Sequence, residues 1–116
     1  MNEELKTIFK NFKVNNKSIP VKHLRYKGKS KTFITWALLS EVPSLSANDE
    51  DLYSVCQVDI DVFSDGNYLD IIKEVKKIMK NNNWLWLEDS AEMYEEDTEL
   101  YHKTITFEKE RFLDNG

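Results

Sequence analysis

Residues 53–63, Tyr-Ser-Val-Cys-Gln-Val-Asp-Ile-Asp-Val-Phe, alternate apolar and polar side chains over eleven positions. Successive side chains on a strand point to opposite faces, so this stretch predicts a β-strand with one buried face. At roughly 3.3 Å per residue it spans about 36 Å. That is about twice the usual strand length. A chain of 116 residues makes about one domain with one modest core. Such a domain covers a strand of this length incompletely, so part of its edge or face is expected to meet something else.

The rest of the second half follows closely. Ser64-Asp65-Gly66-Asn67 is a turn cluster that ends the strand. Tyr68, Leu69, Ile72, Val75, Ile78 and Met79 then mark the buried side of an amphipathic helix. Lys73, Glu74, Lys76, Lys77 and Lys80 fall on its wet side, and lysines near its end suit the helix dipole. Asn81-Asn82-Asn83 ends it. Trp84-Leu85-Trp86-Leu87 reads as a short strand with both tryptophans on one side, either in the core or as an interface anchor. Residues 100–109 form another strand, with Tyr101, Ile105 and Phe107 on one side and Lys103 among them.

The first half is less regular. Leu5, Ile8, Phe9 and Phe12 repeat at helical spacing and predict a helix over 3–12, with Asn2 as N-cap and Glu3 and Glu4 in its first turn. Asn15-Asn16 suggests a turn, and Ile19-Pro20-Val21 an extended segment. Residues 32–39, Thr-Phe-Ile-Thr-Trp-Ala-Leu-Leu, read as a central strand covered on both faces. Residues 40–51, with Pro43 and Asn48-Asp49-Glu50-Asp51, read as a polar loop that contributes to a neighbour contact. The elements add up to a single α+β domain over 1–116. Its mixed or antiparallel sheet of about four strands is flanked by an N-terminal helix and one central amphipathic helix.

Charge divides the chain. Residues 1–47 hold nine Lys and Arg against three acids, or +6, and residues 48–116 hold seven against eighteen, or −11, which together make the net −5. Lys13, Lys17, Lys22, Arg25, Lys27, Lys29 and Lys31 follow one another with no acid among them, and the acids concentrate over 88–99. The two segments either fold onto each other within one chain or meet between copies, where charge complementarity orients association. Tyr26 and Phe33 interleave aromatics with the basic run, so a small nucleic-acid-associated module using 13–31 is the alternative function. A pI near 5.1 argues against direct nucleic-acid binding.

The chemical motifs are sparse. Asp59 and Asp61 lie on one strand face about 7 Å apart, and with Asp65 they outline a magnesium-type site. No Lys or His accompanies them locally, and acids alternating with apolars on a long strand form a solvated face. His23 and His102 are each solitary. Cys56 shares its face with Val58, Ile60 and Val62 and reads as a buried, inert thiol. No phosphate-cradling glycine loop or Gly-x-Ser-x-Gly elbow is present. The expectation is a protein that is not an enzyme and holds no cofactor or metal. No apolar run approaches ~20 residues, so no membrane span is expected. The acidic Met1-Asn2-Glu3-Glu4 start lacks signal-peptide order, which predicts a cytosolic site of synthesis.

About 80 of the residues, 32–111, resemble the tail-completion (tail-terminator) family of long-tailed bacteriophages. The resemblance rests on the aromatic strand 32–39 and on Gln57-Val58-Asp59-Ile60-Asp61-Val62-Phe63-Ser64 ending in a polar turn. It continues through the helix from Asn67 and through Glu92-Met93-Tyr94-Glu95-Glu96-Asp97-Thr98-Glu99-Leu100-Tyr101-His102-Lys103 before a final strand. It implies an α+β fold and a homo-oligomeric ring, usually a hexamer, that caps the tail tube and joins it to the head. The implied partners are other copies of the chain, the tail tube protein and the head–tail connector. The implied place is the tail–head junction of the virion, with the host cytoplasm during assembly. Lys27, Lys29 and Lys31 of one copy, Glu95, Glu96 and Asp97 of the next, and Trp84 or Trp86 are the interface candidates.

Overall fold

The structure, a computed structural model, describes residues 2–45 and 51–112. Helix α1 (Asn2–Ile8) leads into a small hairpin of β1 (Lys13–Val14) and β2 (Lys17–Ser18), then β3 (Val21–His23). Strands β4 (Phe33–Leu45) and β5 (Asp51–Ser64) come next, followed by helix α2 (Leu69–Asn81). The chain ends with β6 (Leu85–Asp89), β7 (Met93–Glu95) and β8 (Leu100–Phe112).

Six strands form one mixed, mostly antiparallel sheet in the order β3-β4-β5-β8-β6, with β7 also paired to β8. Among the described residues, only β3 and β4 run parallel. The fold class is therefore α+β as expected, with more strands than the expected four. The extra ones, β3 and β7, are three residues each, too short to carry a periodic pattern. Asn15 and Asn16 both sit at positive φ, 54° and 66°. A two-residue loop that matches strand twist requires that conformation, and here it joins β1 to β2.

Strand β5 pairs with β4 on one edge and with β8 on the other from Tyr53 to Ser64. Cys56, Val58, Ile60 and Val62 are fully buried on one face. Leu5 and Phe9 of the α1 region and Ile71, Ile72, Val75 and Met79 of α2 join the same core, so both helices cover that face. Ile34 and Trp36 of β4 and Ile105 and Phe107 of β8 complete it. Among the described residues, both helices pack on this face and none on the other. The molecule measures 52 × 26 × 23 Å, and its radius of gyration is 15.7 Å. A compact chain of this length has about 13 Å, and the three long strands account for the difference.

Several sequence expectations need correction. The N-terminal helix stops at Ile8 rather than at Phe12, because Asn11 turns left-handed at φ 57°. Phe9 and Phe12 stay buried as an edge-on pair in the turns that follow. Asn2 begins the helix, and its side chain lies outside the described residues. Residues 40–45 and 51 of the predicted polar loop belong to strands, and the rest of that loop, 46–50, lies outside the described residues. Pro43 misled the reading, since proline is tolerated on an edge strand. Strand β4 is flanked on both edges only where β3 pairs with Ile34 to Trp36. Leu38, Leu39 and Val42 beyond that point are exposed.

Leu69 is 57% exposed and Ile71 takes its place in the core. The buried stripe runs 68, 71, 72, 75, 79, and Leu69 falls off it at the helix start, where the Asn67 side chain accepts its N–H at 2.9 Å. Asn83, at φ 70°, ends α2 in the left-handed form common past a helix C-terminus. No helix among the described residues is long and apolar enough to cross a membrane.

Ile60→Ala, at the centre of the covered face, is expected to cost about 2–5 kcal/mol in urea unfolding. Leu38→Ala, on the exposed part of β4, is expected to stay within about 0.5 kcal/mol. Equal losses would contradict the assignment of the two positions.

Candidate interaction surfaces

The register aligns residues into rows that cross the sheet. Phe33 is opposite Phe63, Phe63 opposite His102, and His102 opposite Met93. On the uncovered face the row is a stack of rings. Tyr26 lies on Phe33 with centroids 4.6 Å apart, Phe33 on Phe63 at 4.7 Å, and Phe63 on His102 at 4.1 Å.

One end of this row is basic. Residues 24–32 have no regular structure, and Tyr26 pins them to the sheet by its ring and by accepting the Ser30 N–H at 3.0 Å. Gly28 passes so close to that ring that a Cβ there would lie 2.2 Å from the Tyr26 hydroxyl oxygen. Lys22, Arg25, Lys27, Lys29 and Lys31 are all exposed around this anchor. Leu24 is 64% exposed and sits at φ 69°, a conformation that is strained for a bulky side chain.

The other end is acidic. Strands β7 and β8 form a hairpin whose turn, 96–99, carries Glu96, Asp97 and Glu99 next to Glu95, all exposed. Glu99 adopts φ 60° and its N–H donates to the Glu95 carbonyl at 2.8 Å. Glu95 also lies 3.9 Å from His102. The basic loop and the acidic hairpin thus flank opposite edges of the sheet at the same level. Among the described residues, no Lys or Arg of 13–31 makes an ion pair within the chain. Folding of one charged segment onto the other is not what the chain does.

A second row, Leu38–Val58–Phe107–Trp86, crosses the covered face. The two tryptophans separate. Trp84 precedes β6 and is 3% exposed in the core, so it offers little surface to a partner. Its buried indole N–H has no acceptor among the described residues. Trp86 is 51% exposed, with the Lys76 ammonium 4.5 Å from its ring centre. The Trp86 indole donates to Asp89 at 2.8 Å, and Asp89 also meets Lys76 at 3.0 Å and Lys103 at 3.5 Å. Burial raises the Asp89 carboxyl, but the hydrogen bonds from Lys76 and Trp86 and the two lysine charges outweigh it and hold it below its ordinary value of 3.8. Tyr68 donates to Glu92 and joins α2 to the acidic segment. Burial, then Glu92 and the neighbouring Tyr101, push the Tyr68 hydroxyl up to about 12.

The paired aspartates are occupied by neighbours. Asp61 accepts the Thr104 hydroxyl at 2.5 Å and lies 3.1 Å from His102, and Asp59 accepts the Thr106 hydroxyl at 2.6 Å. These contacts knit β5 to β8 on the uncovered face. Asp65 stands apart, lining a polar cleft with Asn15, Lys31 and Asp70. Among the described residues no group of three His, Cys, Asp or Glu side chains is placed to hold a metal ion. His23 stacks on Trp36 at 4.2 Å, and Cys56 is buried. Sequence reasoning missed the Tyr26 anchor and the exposed leucines of β4. Tyr26, directly before Lys27 and Gly28, gives no signal of its own until β4 supplies Phe33.

No family model matches the chain, and no curated protein matches it.

The Asp89 cluster makes a pH prediction. A depressed carboxyl stabilises the fold above its unfolded value and loses that contribution as pH falls through the folded value. Asp89→Asn is expected to melt lower than the parent at pH 7, by roughly 1 kcal/mol for a partly exposed bridge. The gap should hold down to about pH 4 and shrink below it. A gap that widens toward acid in thermal melts would contradict the cluster.

Proposed function

We propose that this protein is a structural assembly protein of a phage or prophage, a tail terminator that closes into a ring. The observation that carries this reading is the pair of oppositely charged, exposed segments at the two ends of one row of the sheet. If either edge met the same edge of a second copy across a two-fold axis, like charges would face each other. The basic edge of one copy is complementary to the acidic edge of the next, and such a head-to-tail contact makes a finite ring when it closes by rotation. The resemblance over 32–111 points to the same assembly and to six copies.

In this reading the protein does no chemistry. The ring would seat on the last ring of the tail tube, cover its growing surface and offer a new surface to the head connector. Asp59 and Asp61 serve the β5–β8 contact, which supports a structural role for them. Exposed ion pairs are worth only about 0–1 kcal/mol each. Five basic groups facing an acidic turn therefore set orientation and encounter rate, and apolar contacts supply the affinity. In the nucleic-acid alternative the same lysines would contact phosphates. The stacking of Tyr26 on Phe33 leaves that tyrosine less free to stack on a base.

Changing Lys27, Lys29 and Lys31 together to glutamate is expected to reduce ring formation about tenfold or more in native mass spectrometry. Reversal of Glu95, Glu96 and Asp97 to lysine in the same chain should restore part of it. Salt near 0.5 M, where screening acts within a few ångströms, should weaken assembly modestly. Rings indifferent to both changes would overturn this arrangement, and loss of DNA binding with rings intact would favour the alternative.

A further inference from the structure

We propose that the outer edge of β4 in one copy pairs antiparallel with the outer edge of β6 in the next, so that one continuous sheet runs around the ring. This contact rests on the ring reading above and names where its affinity comes from.

Both edges are open. From Ala37 onward β4 pairs only with β5, and β6 pairs only with β8, among the described residues. An open edge presents a row of N–H and C=O groups, and edges that must stay single are blunted with lysine, proline or a bulge turned away. Ala37-Leu38-Leu39-Ser40-Glu41-Val42 and Leu85-Trp86-Leu87-Glu88-Asp89 contain no lysine and no proline, and each carries one bulge, at Leu39 and at Leu87, next to the residues proposed to meet. Leu38, Leu39, Val42, Leu85, Trp86 and Leu87 are instead exposed apolar side chains on these two edges. Pro43 follows the first segment and sets a natural end to pairing.

The strand directions fit. β4 and β8 run one way, and β5 and β6 the other. A second copy placed beside β6 the same way up brings in its β4 antiparallel, the geometry with the better hydrogen bonds. The level fits as well. Leu38 and Trp86 are the two ends of one row and project on the same face. They become cross-strand neighbours, a pairing worth roughly 0.2–1 kcal/mol beyond burial. Leu38, 41% exposed, meets a cavity of about 310 Å³ lined by Lys76, Lys80, Trp84, Leu85, Trp86 and Phe107. That cavity has an apolar floor and a lysine rim, and Glu41, three residues beyond Leu38, carries the opposite charge.

The same placement satisfies the charged row. The Phe33–Phe63–His102 row lies five residues from the Leu38–Val58–Phe107 row on each of the three long strands. One lateral step therefore sets Leu38 beside Trp86 and the basic loop beside the acidic hairpin together. The partner is a second copy of this chain, because both halves of both contacts belong to it.

Disulfide trapping tests the contact on the full chain in a Cys56→Ala background, with circular dichroism to check folding. Leu38→Cys with Trp86→Cys, after oxidation, should give covalent species larger than dimers on non-reducing gels, at least tenfold above either single variant. Leu39→Cys with Leu85→Cys is the second pair, one residue along each strand, with Leu39 at the β4 bulge. Rings in native mass spectrometry without cross-links from either pair overturn the β4–β6 contact and leave the ring reading standing. Absence of both rings and cross-links overturns both. A Leu38→Cys single variant that stops at a disulfide-linked dimer assigns the edge to a two-fold contact and also overturns the proposal.

Discussion

Strand β5 has a neighbour on each edge along nearly its whole length, so its register decides what every other element faces. A slip of one residue would put Asp59 and Asp61 where Val58 and Ile60 now lie, against α2 and the α1 region. Two different interactions hold the register. On the covered face it is the exclusion of water from Cys56, Val58, Ile60 and Val62. On the other face it is a ladder of hydrogen bonds, from Thr104 to Asp61, from Thr106 to Asp59 and from Gln57 to Glu108. The carboxylates that suggested metal chemistry in the sequence therefore have a structural task.

The rows that follow from this register connect fold to assembly. Antiparallel partners place Phe33, Phe63, His102 and Met93 in one line and Leu38, Val58, Phe107 and Trp86 in another. Each line ends at both edges of the sheet in groups that the chain leaves exposed. The first ends in opposite charges and the second in apolar side chains. A closed monomeric sheet would cover or blunt such ends. The proposed head-to-tail ring would use all four with one displacement, so that the charge pattern and the open edges would belong to a single surface.

The long strand, the helix after it and the final strand were legible because their periods, two and 3.6, run over ten or more residues. Leu69 broke the helix reading because hydrophobicity alone placed it on a stripe that the 68–72–75–79 spacing excludes. β4 was cut short at Leu39, since Ser40, Glu41 and Pro43 read as loop chemistry while an edge strand accepts all three. β3 and β7 exist only because β4 and β8 offer them an edge, so no local pattern announces them. The charged segments were plain in the sequence. Their position at opposite edges of one row depends on strand order, which a linear pattern does not contain. Trp84 and Trp86 looked equivalent, and only the start of β6 at Leu85 separates the core residue from the exposed one.

The symmetry of the assembled particle tests this account most directly. Native mass spectrometry combined with class averages from electron microscopy should show one closed species of cyclic symmetry, its mass a whole multiple, by the resemblance six times, of the 13.7 kDa chain. The particle should form alone or on purified tail tubes. A two-fold dimer, or a monomer at every concentration with and without tubes, would contradict it.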